Sequence, residues 1–573
     1  MIALQSCRAD RGKRRRLRRA VLAAASALVV VAMTGAAWAQ TQRLPGVIEK
    51  KPVEVPPGVE NERLQVQPGQ PTQEEVARAN EVVATLTGVR FSGVTVFDEG
   101  DLQAIAEPYL NRPVTRGEIA QLKFDVSKLY FDKGYILVRV VTPPQDLSDG
   151  VLDIQVFEAR IGKIDVRNEG VLRPFLVRAL TSRLKSGEIF REPPVESTVN
   201  DINDLGNVDA TLNLQPGEDV GTTDLTLNIK PGRDDSQQIS LDNYGSELTG
   251  DRVGSINLEK SNLFHLGESL NADFNVTDEG TWTAQGIAKL PIGIRNIKLD
   301  LRYVHSDIDV GGRLAALDAT GKTDIAEAGF SSVLLNMRRR RIEVRTGLQA
   351  RQHRSFLAGA DETDDDIRQV FVEGGYTVRY PSAIIYAFLR GVKGVDILGS
   401  SNQGDVGNTR VEGDPTAWLI QPFLYLNLRP NPRGVLKAQI SGQWASDTVL
   451  SSDLFVLGGY NSIRGFEPAE STGDSGMQFS VEYDHEFFNG NAGGFDWKVK
   501  GGPFFDGGIA YNREAGAVSD SHLYSVGLGL ELSSNFTKVG ESKLRFDVAW
   551  PVGDYNSSTV DANTLYLRLV QTF

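Results

Sequence analysis

The 573-residue chain contains one cysteine, Cys7, and only five histidines and four methionines. A single cysteine excludes an internal disulfide framework and paired-thiol chemistry. His265, His305, His353, His485 and His522 stand singly, without HxxxH or HExxH spacing, so no metal site is legible. No Gly-rich phosphate loop runs into Lys-Ser/Thr, and no nucleophile elbow occurs, leaving no sequence ground for an enzyme or a bound cofactor. Beyond the N-terminus no apolar run approaches about 20 residues, so membrane-spanning helices are excluded. Mean hydropathy is -0.23. Basic excess is also missing: a net charge of -13 argues against nucleic acid as a partner.

The one apolar stretch is N-terminal. Arg11 to Arg19 is densely basic, Ala20 to Met33 is apolar, and Ala37-Trp38-Ala39 offers a small-x-small cleavage site before Gln40. Residues 1–39 are expected to be a signal peptide, Gln40 the mature N-terminus, and the protein exported at least to the periplasm. Residues 40–87 then supply a linker, with Pro45, Pro52, Pro56, Pro57, Pro68 and Pro71 forbidding a regular helix. Its last part, Thr72 to Leu86, is predicted to be a helix entered through Thr72-x-x-Glu75.

Two similar stretches follow. In 88–158, strand Val89 to Phe97, helices Asp98 to Leu110 and Thr115 to Lys133, and strands Tyr135 to Val141 and Val151 to Phe157 give the order β-α-α-β-β. The second helix presents Ile119, Leu122, Phe124, Leu129 and Tyr130 as an apolar surface and is closed by Gly134. In 159–231 the order recurs: strand Ile161 to Val166, helices Arg173 to Leu184 and Pro194 to Leu205, strands Val208 to Leu214 and Thr223 to Ile229. The pattern predicts a repeat of two small α+β domains.

After Pro231-Gly232 helical periodicity disappears, and glycine is abundant in the chain at 58 residues. Leu299-Asp300-Leu301-Arg302-Tyr303, Ile342-Glu343-Val344-Arg345, Leu436-Lys437-Ala438-Gln439-Ile440, Val481-Glu482-Tyr483-Asp484 and Leu544-Arg545-Phe546-Asp547-Val548 alternate apolar with polar. Charges at every second position cannot face a dry core. They can line a wet lumen while the other face meets lipid, so 237–573 is predicted to be a transmembrane β-barrel in a mainly β protein. A barrel in lipid tolerates no open edge, so its last strand must pair with its first, Gln237 to Tyr244. Asp361 to Asp366 and Gly399 to Pro415 read as loops outside the cell, and Arg338 to Arg341 as a turn or lumen patch.

Two short motifs stand out: Ile463-Arg464-Gly465-Phe466, and Phe504-Phe505-Asp506 on a strand running from Trp497 to Ala510. Strand alternation puts Phe504 and Asp506 on the lumen face and Phe505 on the lipid face. A carboxylate there needs a partner, and Arg464, on a loop leaving near Trp444 and returning near Met477, can supply it.

The two motifs in this order resemble the POTRA-barrel outer-membrane superfamily, and within it the two-partner secretion transporters that export haemolysins and adhesins. The paired β-α-α-β-β units resemble POTRA domains, and Asp242-Asn243-Tyr244-Gly245 with Thr249-Gly250-x-Arg252 resembles the family's barrel opening. The resemblance implies about sixteen strands behind two periplasmic POTRA domains. It also implies translocation of an unfolded partner exoprotein without nucleotide, and a possible plugging role for the helix near residue 72, otherwise a connector. Leu565, Leu567, Leu569 and terminal Phe573 resemble the signal read by the barrel assembly machinery, a further expected partner beside outer-membrane lipid. An exposed strand edge in the second unit suggests cargo binding at Ile202, Leu205, Val208, Ala210, Leu212 and Leu214. The rival reading is an assembly factor that inserts other barrels; such factors usually carry three or more POTRA domains.

Overall fold

A computed structural model describes residues 79–232, 235–513, 521–536, 540–553 and 565–573. The expected signal peptide, residues 40–71 of the expected linker and residues 72–78 of the expected helix lie outside them. Within them the chain forms two compact units, an N-terminal one and a barrel.

The N-terminal unit contains the β-α-α-β-β pattern twice. First, Gly88–Ser92 pairs parallel with Val151–Glu158, which pairs antiparallel with Val138–Val141. Glu99–Ala106 and Arg116–Asp132 supply the helices. The longer helix begins with a capping box: Thr115 Oγ1 accepts from Glu118 N–H, and Glu118 Oε2 accepts from Thr115 N–H at 2.8 Å. Leu122, Val126 and Tyr130 lie four apart and are all buried, whereas Phe124, off that stripe, is exposed rather than part of the core. In the second copy Arg160–Asn168 pairs parallel with Thr222–Pro231, itself antiparallel to Val208–Pro216, with helices Pro174–Thr181 and Glu192–Asn203. Both sheets have the same strand order.

The helix expected to run to Leu86 is corrected here: Val82–Leu86 is a strand, paired antiparallel with Arg112–Thr115, a strand absent from the sequence reading. Val82, Val83 and Thr85 are β-branched and lose rotamer freedom in a helix, so a pairing partner decides the state.

The second unit is a closed barrel of sixteen strands. Its seam joins Leu565–Thr572 to Gln237–Asp242, Arg568 opposite Asp242 and Thr572 opposite Gln238. Alternation sorts the side chains. Asp300 and Arg302 are buried inside, whereas Leu301 and Tyr303 are exposed on the outer face. One end has tight turns such as Pro381-Ser382 and Gly493-Gly494; the other carries long connections, 395–417 and 446–474. Short turns mark the periplasmic end of such barrels and long loops the outside. Arg338, Arg339 and Arg340 are exposed at a tight turn, while Arg341 reaches Glu343 at 3.2 Å. Asp361 to Asp366 form no loop but part of the strand Ala360–Tyr380, paired with Gln352 to Phe356. An acidic run reads as loop from composition. A strand that continues past the lipid needs no apolar outer face, and its inner side here is polar and packed, Asp365 being buried against Thr409.

Candidate functional site: the loop seated in the barrel

The connection 446–474 folds back as a hairpin, Phe455–Leu457 against Ser471–Gly473, and places its tip inside the barrel. Ile463 and Phe466 are buried in an apolar cluster with Phe455, Leu457, Ala510 and Leu523. Between them Gly465 turns the backbone at φ 95°, and its N–H donates to Tyr566 Oη at 2.8 Å. A residue with a Cβ is strained at that φ. The turn aims Arg464 at the wall.

The structure brings Arg464 and Asp506 together. Arg464 Nε donates to Asp506 Oδ2 at 2.7 Å and Nη2 to Oδ1 at 2.9 Å, and the Arg464 backbone N–H adds a bond at 3.2 Å. Two parallel donors on one carboxylate form a fork that lysine cannot reproduce. Phe504, on the same strand face, lies beneath the guanidinium, 3.4 Å from Cζ to ring centroid. Ser480 Oγ donates to Asp506 Oδ1 at 2.7 Å.

Several participants were not singled out from the sequence. Arg464 Nη1 donates to Glu482 at 2.9 Å and lies 3.7 Å from Asp547. Arg545 bonds Asp547 at 2.6 Å and Glu482 at 3.2 Å, and Lys437 bonds Asp484 at 2.8 Å. Tyr460 at the loop tip donates to Asp547 at 3.2 Å and stacks on Tyr244 at 3.6 Å. Those charged residues all stand in the alternating segments, so their inward direction was legible; their partners were not. A second inner-wall lattice joins Arg345 to Glu327 at 3.0 Å and Arg390 to Glu373 at 2.8 Å. Such fixed ion pairs stiffen the wall against which the loop sits.

The other predicted site residues fall apart from this cluster. Leu565, Leu567, Leu569 and Phe573 are exposed on the outer barrel face, 46%, 45%, 46% and 55% respectively. Ile202, Leu205, Val208 and Ala210 are buried in the core of the second repeat, with Leu212 packed against it. Leu214 packs on a neighbouring cluster. The side chains of Ile202, Leu205, Val208 and Ala210 are thus taken up by the core, whereas Leu212 and Leu214 are half-buried. The backbone of Val208–Pro216 remains an edge, with no second strand paired to it among the described residues.

Comparisons with known proteins agree with this architecture. The profile of haemolysin secretion/activation proteins ShlB/FhaC/HecB matches residues 221–532, and that of the ShlB-type POTRA domain matches residues 84–159. Outer membrane transporter CdiB of Dickeya dadantii is 23% identical over 483 residues, 82% of this chain and 83% of that protein. Heme/hemopexin transporter protein HuxB of Haemophilus influenzae is 23% identical over 496 residues, 82% and 84%. The solved structure of CdiB from Escherichia coli superposes with a TM-score of 0.73 at 19% identity, covering 89% of this chain and 93% of that one, a likeness of fold. With the motif loop seated in a closed barrel and the family profile matched over more than half of the chain, including most of that barrel, the chain belongs to the ShlB/FhaC/HecB family of haemolysin secretion/activation proteins.

Proposed function

We propose that this protein carries a large, unfolded partner exoprotein across the outer membrane by two-partner secretion, and that loop 446–474 sets its competence to do so. The barrel sits in the outer membrane with the N-terminal domains in the periplasm. Residues 88–158 and 159–231 act as two POTRA domains, after a signal peptide at 1–39 and a linker at 40–87, and precede the barrel at 237–573. The POTRA domains receive the cargo, the backbone edge of Val208–Pro216 offering unpaired donors and acceptors for strand addition. No nucleotide or cofactor enters this reading; folding outside the cell buries apolar surface and opposes return of the emerged chain. Outer-face Leu565, Leu567 and Leu569 meet lipid, and the end of that strand engages the barrel assembly machinery.

The observation that carries the proposal is the forked Arg464–Asp506 pair holding the loop inside the lumen. The rival assembly-factor reading has the weaker support, since the matched profile over 221–532 is that of secretion proteins. The test is release of the partner exoprotein into the medium by cells expressing the wild type or Arg464→Ala. Undiminished release from a variant with an assembled barrel would defeat the proposed role of the loop; no release even with the wild type would defeat the transport reading.

A further inference from the structure

The loop touches much more of the barrel than the motif site. Counted around the closed ring from Gln237–Asp242, Asp506 lies on the thirteenth strand and Tyr566 on the sixteenth. The near half of the loop reaches the other way. Asp453 accepts from Arg351 Nη1 at 2.6 Å, on the seventh strand, and from Gln369 Nε2 at 2.8 Å, on the eighth. Arg351 Nη1 also donates to the Ser452 carbonyl at 2.8 Å. Val449 and Leu454 pack against Phe371, Val392, Ala417 and Leu419. The loop is therefore fastened to the wall from the seventh strand round to the sixteenth.

The neighbouring connection 395–417 holds the base of the loop. Arg410 Nη1 donates to Asp474 Oδ1 at 2.6 Å and to the Val449 carbonyl at 2.7 Å, thereby closing the two ends of the loop on each other. Thr409 Oγ1 accepts from Ser451 N–H at 3.1 Å and donates to Asp365 at 2.6 Å. The four ion-pair side chains are nearly dry: 10% and 7% exposed for Arg351 and Asp453, 11% and 0% for Arg410 and Asp474.

We propose that Arg351 and Arg410 are positioning residues that clasp the near half of the loop, and that this clasp gives way during transport while the Arg464 site stays made. A loop fastened around half the ring obstructs a passing chain, so some attachment must open. The arginines at the two ends, Arg351 and Arg464, differ in how well they are satisfied. Around the motif site Tyr244 Oη, Asp484 Oδ1 and Ser525 Oγ are buried without a hydrogen-bond partner among the described residues, but Arg464 itself leaves no donor unpartnered there and faces three carboxylates. At the clasp Arg351 Nε, Ser451 Oγ, His353 Nε2 and Asn408 Oδ1 are buried and find no hydrogen-bond partner among the described residues. Buried polar groups without partners favour a state in which water reaches them. Arg351, with an unpartnered Nε and the single carboxylate of Asp453, is held less completely than Arg464, so the clasp opens first.

The test measures ionic current through the full-length protein in planar lipid bilayers bathed in potassium chloride, so that no cargo is needed. This separates it from the transport reading, which export alone decides. Arg351→Gln, Asp453→Asn and Arg410→Gln should each open the channel several-fold more often, with heat-modifiability of the barrel unchanged. Arg351→Lys, or the exchange Arg351→Asp with Asp453→Arg, should return the current towards wild type, which a loss of packing alone would not allow. Unchanged current in the neutralised variants would overturn the proposal. A cysteine pair, Thr409→Cys with Ser451→Cys, decides independently of whether those variants assemble. Cys7 is the only natural cysteine, so oxidation should suppress openings and reduction restore them. An oxidised pair that opens as often as the reduced one would refute the clasp.

Discussion

At the scale of single residues, Arg464 and Asp506 are unequal partners. Removing Arg464 leaves Asp506, whose side chain is 1% exposed, with Ser480 as its remaining side-chain donor among the described residues. A buried charge stripped of its partner costs about 3–5 kcal/mol. Removing Asp506 instead leaves Arg464 facing Glu482 and Asp547. Arg464→Ala is therefore expected to lose more export than Asp506→Ala, with the double variant no worse than Arg464→Ala, because the coupling is already gone. Arg464→Lys should rescue little, since the fork is lost. Export assays alongside heat-modifiability check all three; normal export by Asp506→Ala would mean that Arg464 works through Glu482 and Asp547. Gly465→Ala is the milder lesion. Its backbone at φ 95° carries a penalty of about 1–2 kcal/mol for an L-residue, and the added Cβ would lie 3.3 Å from Ala549 Cβ. Partial undocking, read as trypsin cleavage after Arg464 in intact cells, should exceed wild type and fall short of Asp506→Ala.

At the scale of elements, the first POTRA repeat is tied across its sheet and helix by Glu158. Burial alone would raise the Glu158 carboxyl, but it is held below the ordinary range by hydrogen bonds from the Thr95 hydroxyl and N–H, Tyr130 Oη at 2.7 Å and the Val96 N–H. Burial, and then that carboxylate, push the Tyr130 hydroxyl upward. A depressed folded value means that the stabilisation is complete above the ordinary glutamate value of about 4.3 and is lost as pH falls through the folded one. Glu158→Gln should lower stability at neutral pH and flatten its loss in acid. The α-helices among the described residues all lie in the N-terminal unit. Urea unfolding followed by the helical circular-dichroism signal of the intact protein therefore reports the two repeats together, and the difference between wild type and Glu158→Gln isolates the contribution of the first. An acid slope identical in both proteins would rule Glu158 out as its source.

At the scale of the whole molecule, the barrel is only as closed as its seam. Leu565–Thr572 and Gln237–Asp242 share a short register, and one side chain extends it. Asn243 Nδ2 donates to the Leu565 carbonyl at 2.8 Å, while Asn243 Oδ1 accepts from Leu567 N–H at 2.7 Å. The amide thus acts as one more rung of the ladder. Two such bonds contribute about 0.5–1.5 kcal/mol each. Asn243→Ala should lower the temperature at which the folded gel band converts to the unfolded one; an unaltered conversion temperature would show that the barrel opens elsewhere.

The sequence by itself determined what depends on local period and composition. Alternation of charge with apolar residues can be satisfied only by a wet lumen and a lipid face, so the barrel, and the inward direction of Lys437, Glu482, Asp506, Arg545 and Asp547, followed without coordinates. Helical periodicity marked Leu122 and Tyr130 as core but not Val126, and wrongly included the exposed Phe124, whereas the repeated element order marked the paired β-α-α-β-β stretches. What depends on contacts distant in sequence was out of reach. Val82–Leu86 became a strand because Arg112–Thr115 lies beside it, a pairing no window of sequence contains. Asp361 to Asp366 joined a strand because Gln352 to Phe356 continue past the lipid with them. The core positions of Ile202, Leu205, Val208 and Ala210 followed from helices packing on that sheet. Only the closed ring brings residues 351 and 453, or 464 and 547, within reach of one another. Direction is a property of one strand, whereas partnership is a property of how sixteen strands close around a loop.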